Sequence, residues 1–127
     1  MASPSTEPRR GEVWLTSFGA ARSGEPGKHR PAIVVSADQV IAGSPREPIV
    51  VVALSSSLPP SPLRPEVSDV EGVERTSRAV CGAVRGMARS RLLRKLGTVT
   101  PATLTEIERV LMLILALDPH AAEPAGS

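Results

Sequence analysis

The sequence predicts a compact antiparallel β-barrel with one helix packed beside it, and three observations carry that prediction. Short β-branched runs recur along the chain, the connections between them are rich in Pro and Gly, and a single stretch near the C-terminal end has apolar residues at helical spacing. At 127 residues the chain has the length of one ordinary domain, and 41% hydrophobic residues suffice for a real core.

Residues 1–9 and 119–127 are Pro/Ala/Ser/Glu segments without periodicity and read as flexible tails around one domain, residues 10–118. The first strand is expected over Gly11 to Ser17, with Val13 and Leu15 on one face and Trp14 on the other. Ser23 to His29 is a Gly/Pro-rich exposed loop. Pro31 to Ser36 and Ile49 to Leu54 are continuous apolar runs, the pattern of central strands covered on both faces. Four prolines between Leu58 and Pro65 exclude helix and central strand there. Ala79 to Val84 reads as a weaker strand, Met87 to Lys95 as a short basic helix with Leu92 and Leu93 turned inward, and Leu96 to Val99 as a short fifth strand. Last comes the helix. Thr100 caps it, Pro101 takes the first position where a missing N–H costs nothing, and Leu104, Ile107, Val110, Leu111, Ile114 and Leu115 recur at its period until Pro119. Met112, Leu113 and Leu117 widen its apolar surface, which serves either its own domain or a second subunit.

Composition removes several functions. Trp14 and Phe18 are the only aromatic residues, too few for a surface that binds nucleic acid by stacking several rings. The single Cys81 excludes an internal disulfide and a paired-cysteine metal site. No apolar run is long enough to span a membrane and the first ten residues lack a signal-peptide core, so a soluble, cytoplasmic protein is expected. Net charge is only +2, yet it is unevenly spread: seven basic residues and no acidic one lie from Arg75 to Lys95, and four acidic residues and no basic one from Glu66 to Glu74. A basic stretch of this kind suits either a polyanionic partner or a solvated face.

No phosphate-binding glycine loop follows a strand, and His29 and His120 are not at metal spacing, so neither a cofactor nor a metal is expected. Cys81 lies in an apolar run, where a buried structural thiol is the stronger reading over a nucleophile. Glu71 and Glu74 are explained by a surface loop. The sharpest local signal is Lys28-His29-Arg30-Pro31. Pro31 holds Arg30 extended at the edge of a buried strand, beside two other basic side chains. A guanidinium there can grip a phosphate with two parallel N–H bonds, or simply decorate an exposed turn. Ser55-Ser56-Ser57 follows the Ile49 to Leu54 run, where hydroxyls bind phosphate or orient a ribose 2′-OH, or start a turn.

Taken in order, Arg10-Gly11-Glu12-Val13-Trp14, then Gly24-Glu25-Pro26-Gly27-Lys28-His29-Arg30-Pro31-Ala32-Ile33-Val34-Val35-Ser36, then Val50 to Ser55, Arg85 to Leu96 and the helix from Pro101 to Leu117 resemble the MazF/PemK family of toxin ribonucleases. The resemblance covers nearly all of residues 10 to 117. It implies an SH3-like barrel with a C-terminal helix, a homodimer with RNA bound at the subunit interface, and metal-independent cleavage of single-stranded RNA to 2′,3′-cyclic phosphate and 5′-hydroxyl ends. The family's catalytic arginine falls on Arg30, its catalytic threonine on Ser55, and its loop glutamate on Glu25. Lys28, His29, Ser56, Ser57 and Arg85 are the further expected RNA contacts. His29 is the side-chain type that titrates near neutrality, but strand alternation should turn it away from Arg30, which makes it a secondary contact.

The same resemblance implies a MazE-like antitoxin whose acidic tail lies over the RNA groove, meeting the Arg75 to Lys95 stretch and the Ser23 to His29 loop. Two positions depart from the family. Ser55 replaces threonine but keeps the hydroxyl, and Gly82-Ala83 stand where many members carry an acidic residue and a glutamine that read bases. Two other functions are compatible with such a chain: a non-catalytic toxin of the same fold that poisons a protein such as DNA gyrase, and an inactive RNA- or antitoxin-binding module. Arg30 and Ser55 favour the nuclease, since a poison needs neither.

Overall fold

A computed structural model of the chain describes residues 7–19 and 29–117. The glutamate and lysine of the first loop, Glu25 and Lys28, lie outside the described residues, as do most of that loop, His120, and nearly all of both expected tails. Seven strands form one curled antiparallel sheet: β1 (Glu12–Ser17), β2 (His29–Val34), β3 (Ile49–Ser55), β4 (Glu66–Val67), β5 (Ser77–Ala79), β6 (Arg85–Met87) and β7 (Leu92–Thr98). Their order is β4-β5-β3-β2-β1-β7, with β6 pairing on β3 as well. Two helices complete the fold, α1 (Asp38–Gly43) and α2 (Pro101–Leu115).

The first three strands and the last helix follow the sequence reading. Alternation along β1 sends Val13 to one face and Trp14 to the other, and each face has its own core. On one side Val13, Ile33, Val52 and Leu54 pack with Ile107 and Val110 of α2. On the other, Trp14, Ala32, Val34 and Val51 pack with Ile41 of α1, Met87 and Leu92. The continuous apolar runs in β2 and β3 are thus explained, because both of their faces are covered. Helix α2 begins as expected, with Thr100 Oγ1 accepting from the Thr103 N–H at 3.2 Å and Pro101 in the first turn.

Four expectations change. Met87 to Lys95 is not a helix: it is the end of β6, a 3-10 turn at Arg89–Arg91, and the first half of β7. Leu92 is therefore buried while Leu93 points to solvent, the period-2 pattern of a strand, and the fifth strand is seven residues long rather than four. Ala79 to Val84 divides into the last residue of β5 and a 3-10 turn at Cys81–Ala83 that packs against α2. Leu115, expected inside, is 49% exposed, with Met112, Leu113 and Leu117 beside it also exposed. Helix α1 and strand β4 were not anticipated. Helix α1 buries only Ile41, and its end is held by Arg89: Nη2 donates to the carbonyls of Ile41 (2.6 Å) and Ser44 (2.7 Å), Nε to that of Glu47 (3.3 Å), and Nη1 pairs with Glu7 at 2.8 Å.

The ends of the curled sheet meet without a ladder. Gly72, which follows β4 and a 3-10 turn at Asp69–Glu71, lies against Gly97 of β7. A Cβ on Gly97 would stand 2.7 Å from the Glu71 carbonyl oxygen and from the Gly72 Cα. Gly72 also has φ +112°, where a side chain is strained. Glu71 fastens this seam to the start of α2. Its Oε1 accepts from the Ser68 N–H (2.9 Å) and its Oε2 from the Thr100 N–H (2.7 Å).

Burial alone would raise the Glu71 carboxyl, but these N–H donors outweigh it and hold the group below its ordinary value near 4.5. A depressed carboxyl stabilises the fold above its ordinary value, and that stabilisation is lost as pH falls through the folded-state value. Glu71→Gln puts an amide NH2 against one backbone N–H and leaves a buried donor without an acceptor. The variant is expected to lose about 1–3 kcal/mol at pH 7, with the deficit shrinking as pH falls from the ordinary carboxyl value of 4.5 through the lower folded-state value. Urea unfolding across that range measures both.

Candidate nucleic-acid cleft

Pro31 forces its predecessor into extended backbone, so Arg30 continues β2 beyond the covered part of the sheet and its side chain is exposed. Arg30 pairs with Thr16 of β1. On its other side β2 runs antiparallel to β3 with Ala32 opposite Ala53, a register that, continued, brings Arg30 level with Ser55. The two residues singled out most sharply in the sequence thus come together, and both line a cleft of about 430 Å³. His29, Ser56 and Ser57 line it too. Strand alternation does not take His29 out of the cleft that holds Arg30.

Ser55 Oγ accepts a hydrogen bond from the Ser57 N–H at 3.3 Å and lies 3.2 Å from the Ser57 hydroxyl. This local turn fixes the oxygen at the cleft while leaving a hydroxyl proton to give to an incoming acceptor. Arg30 makes no ion pair or side-chain hydrogen bond with any described residue. A guanidinium unpaired among the described residues, beside hydroxyls in an open cleft, is an arrangement that binds anions.

The far wall was not visible in the sequence. Gly72, Val73, Glu74, Arg75 and Ser77 come from the seam segment and β5, and Arg94 and Leu96 from β7. All but Leu96 fall in the acidic and basic stretches, whose charges the fold disperses. Arg78 pairs with Glu66 at 3.9 Å, Lys95 with Glu12 at 3.0 Å, and Arg89 is absorbed by α1. The Arg75 to Lys95 stretch is therefore no single contact face.

Arg85 is not in this cleft: it sits on β6, opposite Val51, with its guanidinium 5.8 Å from the centroid of the Phe18 ring. Gly82 and Ala83 are exposed in the turn before it and do not line the cleft either. Cys81 is fully buried, and burial, with the charge of Glu106 second, pushes its thiol up to about 11. It stays protonated at neutral pH, which fits a structural thiol. Among the described residues no three His, Cys, Asp or Glu side chains form a group able to hold a metal ion, and no helix is long and apolar enough to cross a membrane.

Comparison with known proteins agrees with this geometry. Residues 9–115 match the family described as PemK-like, MazF-like toxins of type II toxin–antitoxin systems. Over 114 residues, 86% of this chain and 97% of the relative, the sequence is 34% identical to endoribonuclease MazF9 of Mycobacterium tuberculosis. Among solved structures, MazF in a MazE–MazF complex of Deinococcus radiodurans superposes with a TM-score of 0.77 at 20% identity, covering 90% of this chain and 100% of that one. A mycobacterial endoribonuclease in complex with its cognate antitoxin gives 0.73 at 22% identity, covering 87% of this chain and 97% of that one. Those two likenesses establish a shared mainly-β fold with a C-terminal helix. With the fold, the cleft and a sequence match over residues 9–115 in accord, the chain belongs to the PemK/MazF family of type II toxins.

Proposed function

We propose that this toxin is a metal-independent endoribonuclease that cuts single-stranded RNA in the cleft between Arg30 and Ser55, in the cytoplasm. The observation that carries the reading is the meeting, in one open cleft, of a turn-held hydroxyl and a guanidinium from a different strand that no described residue pairs. The RNA's own 2′-oxygen attacks the neighbouring phosphorus. A P–O bond forms there, the bond to the 5′-oxygen breaks, the 2′-proton is lost, and the departing 5′-oxygen takes up a proton. The products are a 2′,3′-cyclic phosphate and a 5′-hydroxyl.

With the nucleophile already in the substrate, the protein need only orient it and stabilise charge. Arg30 steadies the extra negative charge of the pentavalent phosphorus, and Ser55 donates to a phosphate oxygen. His29 and the exposed hydroxyls of Ser56 and Ser57 contact the strand nearby, as do Glu25 and Lys28 of the first loop. Arg85 contacts RNA only if the strand continues past the cleft towards Phe18.

A MazE-like antitoxin silences the toxin by laying an acidic segment along the same cleft, a reading supported by the antitoxin complexes of structural relatives. The chain works as a homodimer, supported by the apolar Met112, Leu113, Leu115 and Leu117 that a single copy leaves exposed.

The test is incubation of antitoxin-free protein with a long single-stranded RNA in excess EDTA, followed by mapping of the new 5′ ends. Discrete 5′-hydroxyl ends are expected. Ser55→Ala should lower the single-turnover rate roughly 10- to 100-fold, consistent with one lost neutral donor, while Ser55→Thr keeps the hydroxyl and most of the rate. RNA binding without cleavage would instead identify a binding module, and neither binding nor cleavage a poison of a protein target.

A further inference from the structure

Among the described residues three cationic side chains besides His29 line the cleft, and of these only Arg30 has been given work. Arg75 and Arg94 stand on the far wall, both exposed, and neither makes an ion pair or a side-chain hydrogen bond with any described residue. That is a clear contrast with Arg10, Arg78, Arg89 and Arg109, each paired with a carboxylate.

The backbone beneath both residues is held in place. Ser77 Oγ, itself buried, donates to the Arg75 carbonyl at 2.9 Å. Three residues before Arg75, Gly72 is pinned on Gly97, three residues after Arg94. Arg94 is fixed on β7 opposite Leu15, which pairs in turn with Pro31. Two strand spacings, about 10 Å, therefore separate the Arg94 backbone from that of β2. A linear polyanion that places one phosphate at Arg30 and Ser55 can continue across the cleft to the guanidiniums of Arg75 and Arg94.

We infer that Arg75 and Arg94 form a second phosphate subsite, which grips the RNA backbone beside the scissile linkage and positions the strand without taking part in bond breaking. Among the described residues Glu74 is the one carboxylate lining the cleft, and it stands next to Arg75. It repels backbone phosphate, so the strand runs on the Arg94 side of that wall. The inference rests on the nuclease reading for its substrate, and the experiment separates the two.

Binding is measured with a 2′-O-methyl oligoribonucleotide, which lacks the attacking hydroxyl, across a series of salt concentrations. Cleavage is measured in parallel on the matching unmodified RNA. Arg75→Ala and Arg94→Ala are each expected to weaken binding about 5- to 20-fold at moderate salt and to reduce the slope of log K against log salt by roughly 0.7, the value for one phosphate contact in a single strand. The loss should be similar whatever the neighbouring bases, and the cleavage rate at saturating enzyme should stay within about 2-fold of wild type.

Arg46→Ala is the control. It removes the same charge from an exposed position outside the cleft and should change neither quantity. A methylphosphonate at one linkage flanking the cut should weaken the wild type and leave Arg94→Ala with little further to lose. If both variants keep wild-type affinity and salt slope, or match Arg46→Ala, the subsite is refuted even when the wild type cleaves. A saturating rate that falls with the affinity likewise overturns a purely positioning role. A wild type that binds the oligonucleotide with the expected salt slope but cuts no RNA refutes the nuclease and leaves the subsite standing.

Discussion

Arg30→Ala is expected to fold like the wild type and to lose about 10³-fold in single-turnover RNA cleavage, roughly 4 kcal/mol of transition-state stabilisation. The side chain is exposed and bonded to none of the described residues, so its removal costs the fold no more than about 0.5 kcal/mol. Its work is reserved for the phosphorane, whose added charge appears only in the transition state, so the loss should fall on the rate far more than on affinity. Arg30→Lys is informative beside it. An ammonium keeps the charge but not the planar fork, and about 10- to 100-fold of the loss should remain. Rapid-quench cleavage with enzyme in excess, together with a thermal melt of each variant, measures these quantities. Full activity in Arg30→Ala would move the chemistry out of this cleft.

Gly97→Ala is expected to cost stability and activity together. The added methyl would meet the Glu71 carbonyl oxygen and the Gly72 Cα at 2.7 Å, both backbone atoms that cannot rotate aside. Overpacking of this kind costs about 1–3 kcal/mol, and each kcal/mol lowers the melting temperature by roughly 4–8 °C in a domain of about this size. The cleft suffers as well, because Arg94 and Leu96 lie on one side of the contact and Gly72 to Arg75 on the other. Gly43→Ala is the comparison, since a methyl there meets nothing within 4 Å. Calorimetry on both variants distinguishes a steric effect from a general effect of replacing glycine.

The sequence and the structure agree where local and tertiary forces point the same way. The runs at Pro31 and Ile49 are β-branched and buried on both faces, and Thr100-Pro101 states the start of α2 within two residues. They part where tertiary pairing overrides local preference. Met87 to Lys95 is built from good helix formers, yet its second half is a strand because β1 offers it a hydrogen-bonding edge. That pairing tolerates two register shifts, at Val13/Trp14 and Leu15/Thr16, which blur the strand's alternation in the sequence.

Arg30, Ser55, His29, Ser56 and Ser57 were legible as cleft residues because each sits on or just beyond a strand that could be recognised. Arg75 and Arg94 were not. What brings them to the same cleft is the contact of Gly72 with Gly97, and nothing in either local sequence says that two glycines 25 positions apart will touch.

Arg89 gathers the segment ahead of β1, the end of α1 and the turn into β3 onto the 3-10 turn that precedes β7, through partners 82, 48, 45 and 42 positions away in the chain. In polymer terms it closes several large loops at a single node. Closing a loop of n residues costs entropy that grows only as the logarithm of n, so once one of these contacts has formed the others come at small additional cost. The node therefore makes or breaks as a unit. The end of α1 and the approach to β1 thus share one local stability.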